Sequence, residues 1–429
     1  MFHLGHIFTR RQYVRPWALA APVIVLIIAT PLLRPLRHPT ELSIQESARL
    51  AAMQALVEHR QFVAANLPPD QPVMPVFTLL LAGPYWLLAH TGYRLSKDTA
   101  MVSYLLTLLS ATIPVAAAPG LIYRMGRIFV LSRPLRASLA LGVTLCSGLI
   151  SYATVINPHA AAAFLVLAAA SSLIRSGAVP RRSGAAVAFA GFFVALAAAI
   201  DLSAVPFLLL FPLCVLAVRA PFFWRVGALF FFILGAFPPL LLHTILTTDI
   251  INAHPPANIV VVARTTQPAV DPDDEDIRPS ALATAAHGTG RFGQTLFGSH
   301  GLLSHYPVMI LGLAGIYSVL RRYWPRVVKL LAILSAAGAL VVLIAVAMTG
   351  PDDPELMYAA KWFIPFSPLL LFWSGAWLRQ RHRPWVWAMS AVLIAFSAGV
   401  GIVGAFNPYP PGGYPYYTPL AAIHHWVAK

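Results

Sequence analysis

Apolar runs of about twenty residues, separated by short polar connections, decide what this chain can become. In a bilayer such a run satisfies its own backbone hydrogen bonds as a helix and crosses the hydrocarbon. With 58% hydrophobic residues, 10% charged and a mean hydropathy of +0.72 over 429 residues, a soluble globular domain is excluded. The runs read roughly as 17–33, 101–123, 136–155, 159–174, 184–200, 203–218, 226–246, 303–320, 328–348, 362–378 and 385–405. The predicted fold class is therefore all-α: a polytopic integral membrane protein with about eleven transmembrane helices in a single domain over residues 1–429.

Charge sorts the connections into two kinds. Alternate connections contain no Asp or Glu but hold nineteen of the thirty Lys and Arg, among them Arg124, Arg127, Arg133, Arg136, Arg321, Arg322, Arg379 and Arg383. By the positive-inside rule these are cytoplasmic, as is the N-terminus. All fifteen carboxylates, from Glu41, Glu46 and Glu58 through Asp201 to Asp353 and Glu355, then fall on the external face. Chemistry that needs a carboxylate belongs there. The formal charge of +15 sits mostly in short basic loops, which suits anionic lipid headgroups and topology rather than nucleic acid.

Trp17 to Leu33 follows a basic N-terminus and lacks a small-residue cleavage site, so it reads as a retained anchor. Cys146 and Cys214 lie inside apolar runs and read as packing residues. Two external segments exceed simple turns: a first loop over 34–98 and a second over 247–302; an external tail follows from 406 to 429. In the first loop, Leu42, Ile44, Leu50, Met53, Leu56 and Val57 recur near helical spacing, with Glu46, Arg49, Glu58 and Arg60 between them. That is the pattern of an amphipathic helix lying on the membrane surface. The apolar stretch 74–90, interrupted by Gly83-Pro84, reads as a second interfacial or re-entrant helix.

Several short motifs share the external side. The first loop carries Gln45-Glu46-Ser47-Ala48-Arg49, then Val57-Glu58-His59-Arg60-Gln61-Phe62, then Asp70-Gln71-Pro72-Val73-Met74-Pro75 leading into the apolar helix. Later come Tyr152 to His159 with its Asn157-Pro158-His159 turn, Ile200-Asp201-Leu202, Phe297 to Pro307 with Gly298, Gly301 and Ser304, and Lys361-Trp362-Phe363 before Pro365. In order and spacing these resemble the C-type, polyprenyl-phosphate-dependent glycosyltransferase superfamily. The likeness is to bacterial proteins similar to the dolichyl-phosphate-mannose mannosyltransferases, and it runs from about residue 40 to 378.

The resemblance implies transfer of a sugar from a polyprenyl-phosphate donor to a lipid, glycan or protein acceptor on the periplasmic face of a bacterial inner membrane. On that scheme Glu46 is the catalytic base, because the acceptor hydroxyl must lose a proton as the phosphate leaves. Arg49 and Lys361 are the candidates for the donor phosphate, Arg as a bidentate fork and Lys as a point charge. His159, Asp201, His300 and His305 are candidates to line the site. No metal ligand set is assigned; carboxylates and phosphate oxygens together suit Mg²⁺ or Mn²⁺.

Blander readings accompany each of these. Glu46 on a surface helix can simply solvate its polar face, Arg49 three residues on can pair with it, and Lys361 can snorkel. His159 and Asp201 can be ordinary turn residues, and His300 and His305 have no acidic partner in sequence. The Asp-x-Asp spacing within Asp271 to Asp276 reads as a solvated acidic loop. One departure stands out: relatives carry Lys-Pro-Pro before the apolar helix of the first loop, where this chain has Gln71-Pro72-Val73, and Gln45 replaces the first of two acids. Rival readings are a transporter or flippase of lipid-linked sugars, which would place ionisable groups in mid-span, and a non-catalytic protein keeping the fold.

Overall fold

The computed structural model describes residues 44–60, 74–178, 184–217, 221–253, 291–298, 301–349, 361–380 and 382–406. Helices account for nearly all regular structure in them, and no strand occurs among them. In chain order they are α1 (Ile44–Glu58), α2 (Pro75–His90), α3 (Thr99–Phe129), α4 (Arg133–Cys146), α5 (Pro158–Ala178), α6 (Gly184–Ile200), α7 (Val205–Leu216) and α8 (Phe222–Ala253). After a single turn at Leu302–His305 follow α9 (Met309–Arg321), α10 (Arg326–Thr349), α11 (Ser367–Phe372), α12 (Ser374–Leu378) and α13 (Pro384–Phe406).

Five of these helices, α3, α5, α8, α10 and α13, are long and apolar enough to cross a membrane. A sixth arises if Arg291–His305 and α9, bent by 88° against each other, form one broken span. The expected number of about eleven is thus met only in part. The apolar helices α2, α6 and α7, with the stretch formed by α11 and α12, are shorter. The expected spans 303–320 and 362–378 are both interrupted, the first at Tyr306-Pro307 and the second by a 3₁₀ turn at Lys361–Phe363 and a break near Trp373. The predicted anchor 17–33, the tail 407–429 and most of the loop 247–302 lie outside the described residues; α8 carries the helix on to Ala253, past the expected boundary.

The expected span 136–155 needs the plainest correction. Helix α4 ends at Cys146, and the chain then leaves the α-helix, passing through a 3₁₀ turn at Leu149–Tyr152, as far as Asn157. Gly148 stands at φ +76°, and a Cβ there would lie 2.7 Å from Tyr306 Oη and 2.8 Å from Ile364 Cδ1. Left-handed backbone against two packed side chains admits only glycine and stops the helix. In α3 the irregularity is milder. Pro114 has no N–H for the carbonyl four residues earlier, and the preceding residues Leu108–Thr112 widen into a π segment.

Close helix crossings rest on small residues. A Cβ on Gly191 of α6 would stand 2.0 Å from Phe232 O of α8, and one on Gly235 of α8 would stand 1.9 Å from Ala188 O of α6. Gly312 and Gly315 of α9 approach Leu370 O and Trp373 O in the same way. In lipid, apolar side chains gain little by exchanging acyl chains for one another, so such backbone approach is what holds helices together. Helix α1 packs against α2, with Leu50 and Met53 buried at the contact. The expected surface helix is therefore docked on protein along one side, and that docking builds the site.

Candidate functional site

The irregular stretch after α4 carries backbone groups with no ladder to join, and its neighbours supply the partners. Thr112 Oγ1, offered by the π segment of α3, donates to Ala153 O at 2.7 Å. Ser151 Oγ donates to Gly401 O of α13 at 3.0 Å. Asn157, fully buried, donates through Nδ2 to Tyr152 O and Val155 O at 2.8 and 2.7 Å, while its Oδ1 accepts from Ala160 N at 2.9 Å. One amide side chain thereby closes the turn and caps the start of α5.

Ile156 sits at the centre, and its peptide groups are held from α1. Its N–H donates to Glu46 Oε1 at 3.0 Å, and its carbonyl accepts from Arg49 Nη1 at 2.8 Å. The three-residue spacing puts Glu46 and Arg49 on one face of α1, so both reach the same residue. Glu46 is 1% exposed. The reading of Glu46 as a solvated surface acid therefore fails, and so does that of Glu46 and Arg49 as no more than a local pair on water.

Three residues further on, His159 stands in the first turn of α5 beside the turn at the end of α6. Its Nδ1 lies 2.6 Å from Asp201 Oδ2, and both residues are buried. Asp201 Oδ1 accepts from Ser203 N at 3.0 Å and Ser203 Oγ at 2.8 Å, which caps the 3₁₀ turn Leu202–Ala204. Burial alone pulls the Asp201 carboxyl up; the facing imidazole and the two Ser203 donors outweigh it and hold the group below the usual aspartate range. A carboxylate so held only accepts, so His159 Nδ1 is the donor to Asp201.

Aromatic edges enclose that imidazole. The Tyr152 ring lies 6.2 Å away and the Trp362 ring 5.8 Å away, both near perpendicular. Lys361, 4% exposed, sits on the 3₁₀ turn with its Nζ 5.2 Å from the Trp362 ring centre. A continuous series of contacts thus links Glu46 and Arg49 through residues 156–159 to Asp201 on one side and to Trp362 and Lys361 on the other. Four chain segments far apart in sequence meet there.

The remaining predicted residues fare differently. His305 is buried, with Nδ1 3.0 Å from Gly301 O in its own turn and its ring 6.3 Å from Tyr306, a neighbour of Gly148. His300, Gln71 and the acidic run 271–276 lie outside the described residues. Trp362 and Tyr152 lay within quoted motifs but had no role until the imidazole placed them.

No group of three or more His, Cys, Asp or Glu that could hold a metal ion occurs among the described residues. Asp201 accepts three hydrogen bonds, one from His159 on Oδ2 and two from Ser203 on Oδ1. No step is assigned to a divalent ion. What the arrangement can do is move a proton at a buried carboxylate or at an oriented imidazole, beside two cations of different geometry. No protein-family model, curated protein or solved structure matches the chain.

Proposed function

We propose that the chain is a membrane glycosyltransferase that moves a sugar from a polyprenyl-phosphate donor to a lipid, glycan or protein acceptor. The observation that carries the reading is the meeting of Glu46 and Arg49 on the backbone of Ile156, beside His159 and Asp201. The motifs that carry the resemblance to that superfamily contain the residues drawn together by these contacts. Glu46 takes the acceptor proton, Arg49 and Lys361 face the departing phosphate, and the Asp201–His159 pair holds the wall of the site. The partly exposed ring of Trp362 suits a sugar ring. The reading includes the topology of about eleven crossings, with the shorter helices also traversing the bilayer and the site on the external face of a bacterial inner membrane.

The test separates chemistry from scaffolding. Glu46→Gln keeps an oxygen that can accept from Ile156 N, so the turn and the thermal stability survive. Transfer from a panel of labelled undecaprenyl-phosphate hexoses and pentoses in proteoliposomes should then fall by roughly 10²–10⁴-fold. Glu46→Ala should lose activity and stability together, since it orphans the Ile156 amide. Full turnover in Glu46→Gln, with none in His159→Ala, would remove Glu46 from the base role.

A further inference from the structure

We propose that the junction of α3 and α4, at the end of the bundle opposite this site, binds the phosphate group of an anion on Arg127 and Arg136. Arg136 lies one turn into α4 and is only 8% exposed. Its stem crosses onto the end of α3: a Cβ on Gly126 would stand 3.6 Å from Arg136 Cγ, and its Cζ lies 4.6 Å over the Tyr123 ring. Neither the Arg136 Nε nor the Arg127 Nε, both buried, has a hydrogen-bond partner.

A buried guanidinium is retained when something neutralises it and takes its hydrogen bonds. Tyr123 offers a π face but no acceptor for Nε. Among the described residues, carboxylates are remote. Asp98 stands at the opposite end of the 31-residue α3, and Glu46 and Asp201 are engaged around Ile156 and His159, beyond the opposite end of α4. Glu58 is taken by Tyr85 and Gln54. A topology-setting arginine needs only to stand among headgroups; it has no need of burial beneath a neighbouring helix.

The first turn of α4 strengthens the assignment. Ser132 makes no side-chain cap, so the first turn of this 14-residue helix, less the N–H missing at Pro134, keeps uncapped amides beside Arg136. Helix N-termini and forked guanidiniums share a preferred ligand, the tetrahedral phosphate with its several acceptor oxygens. A phospholipid headgroup and a soluble phosphate both supply that chemistry.

The full-length protein in detergent distinguishes them. Dioleoyl phosphatidylglycerol and inorganic phosphate are titrated separately, with binding read by native mass spectrometry and by the shift in thermal unfolding. Wild type should retain the anion, and Arg127→Gln and Arg136→Lys should each weaken it by roughly tenfold, because Lys cannot reproduce the Nε fork. Arg322→Gln, an exposed cation in another basic loop, should leave binding unchanged. Arginine-dependent binding of phosphatidylglycerol alone identifies a lipid site; competition by millimolar inorganic phosphate identifies a soluble one. If Arg136→Lys does not fold, Arg127→Gln decides, since that side chain is only partly buried. Equal affinity in wild type and Arg127→Gln, or no binding of either probe, overturns the proposal.

Discussion

Ile156 offers the site nothing but its peptide groups, yet Glu46 and Arg49 are both fixed by them. The second fixed point is the buried Asp201–His159 pair. Its pH dependence follows from the depressed Asp201 carboxyl, which ionises more readily in the folded protein than in the unfolded chain. The stability that it contributes is complete above the ordinary aspartate value of 3.8 and is lost as pH falls below it. Asp201→Asn removes one partner of a buried pair and should cost roughly 3–5 kcal/mol near neutral pH. The gap to wild type in thermal unfolding should hold from pH 7 to about 4 and close on further acidification. A gap that does not change on acidification would show that the charge on Asp201 plays no part. The sequence made Glu46, His159 and Asp201 legible because polar residues are scarce beside apolar runs. It could not show their partners: Glu46 and Ile156 lie 110 residues apart, and a backbone amide has no signature in a motif.

Among the elements, hydropathy located the long helices well and misjudged the broken ones. The runs 159–174, 328–348 and 385–405 became α5, α10 and α13 with small shifts at their ends, because an uninterrupted apolar run has one low-energy form in lipid. The run 136–155 is also apolar by composition, but its last nine residues leave the α-helix and take hydrogen bonds from Thr112 and Asn157. A window over one segment cannot see that rescue. What holds the helices together was also hidden, since Gly191 and Gly235 read as neutral in any hydropathy sum. Their close approach to the partner helix's backbone makes α6 and α8 a sensitive pair. Gly191→Val and Gly235→Val must each push the crossing apart, and a loss of roughly 1–3 kcal/mol or more in unfolding is expected. Gly227→Ala on the same α8 meets nothing within 4 Å and should be neutral or slightly stabilising. Equal effects at all three positions would mean that the α6–α8 crossing is not close-packed.

At the scale of the whole molecule, carboxylates and arginine clusters alternate along the chain between successive helix ends. The carboxylates Asp98 and Asp201 stand at helix ends on one side of the chain's alternation, while Arg124, Arg127, Arg321, Arg322 and Arg379 stand at the others. If every traverse between these ends is a membrane crossing, the candidate site opens outside the cell and the α3–α4 junction faces the cytoplasm. Both native cysteines are buried, so introduced thiols can be read against a low background. Ser96→Cys lies in the exposed connection just before Asp98, and Tyr323→Cys replaces a side chain that is 99% exposed between α9 and α10. In intact cells an impermeant maleimide should label Ser96→Cys, whereas Tyr323→Cys should react only after the membrane is opened. Labelling of both in intact cells would break the alternation somewhere between residues 98 and 323. The reverse pattern would turn the protein over and place the Glu46–Asp201 site in the cytoplasm. A site there would meet soluble nucleotide sugars directly, and nothing in its position would then favour a polyprenyl-phosphate donor over them.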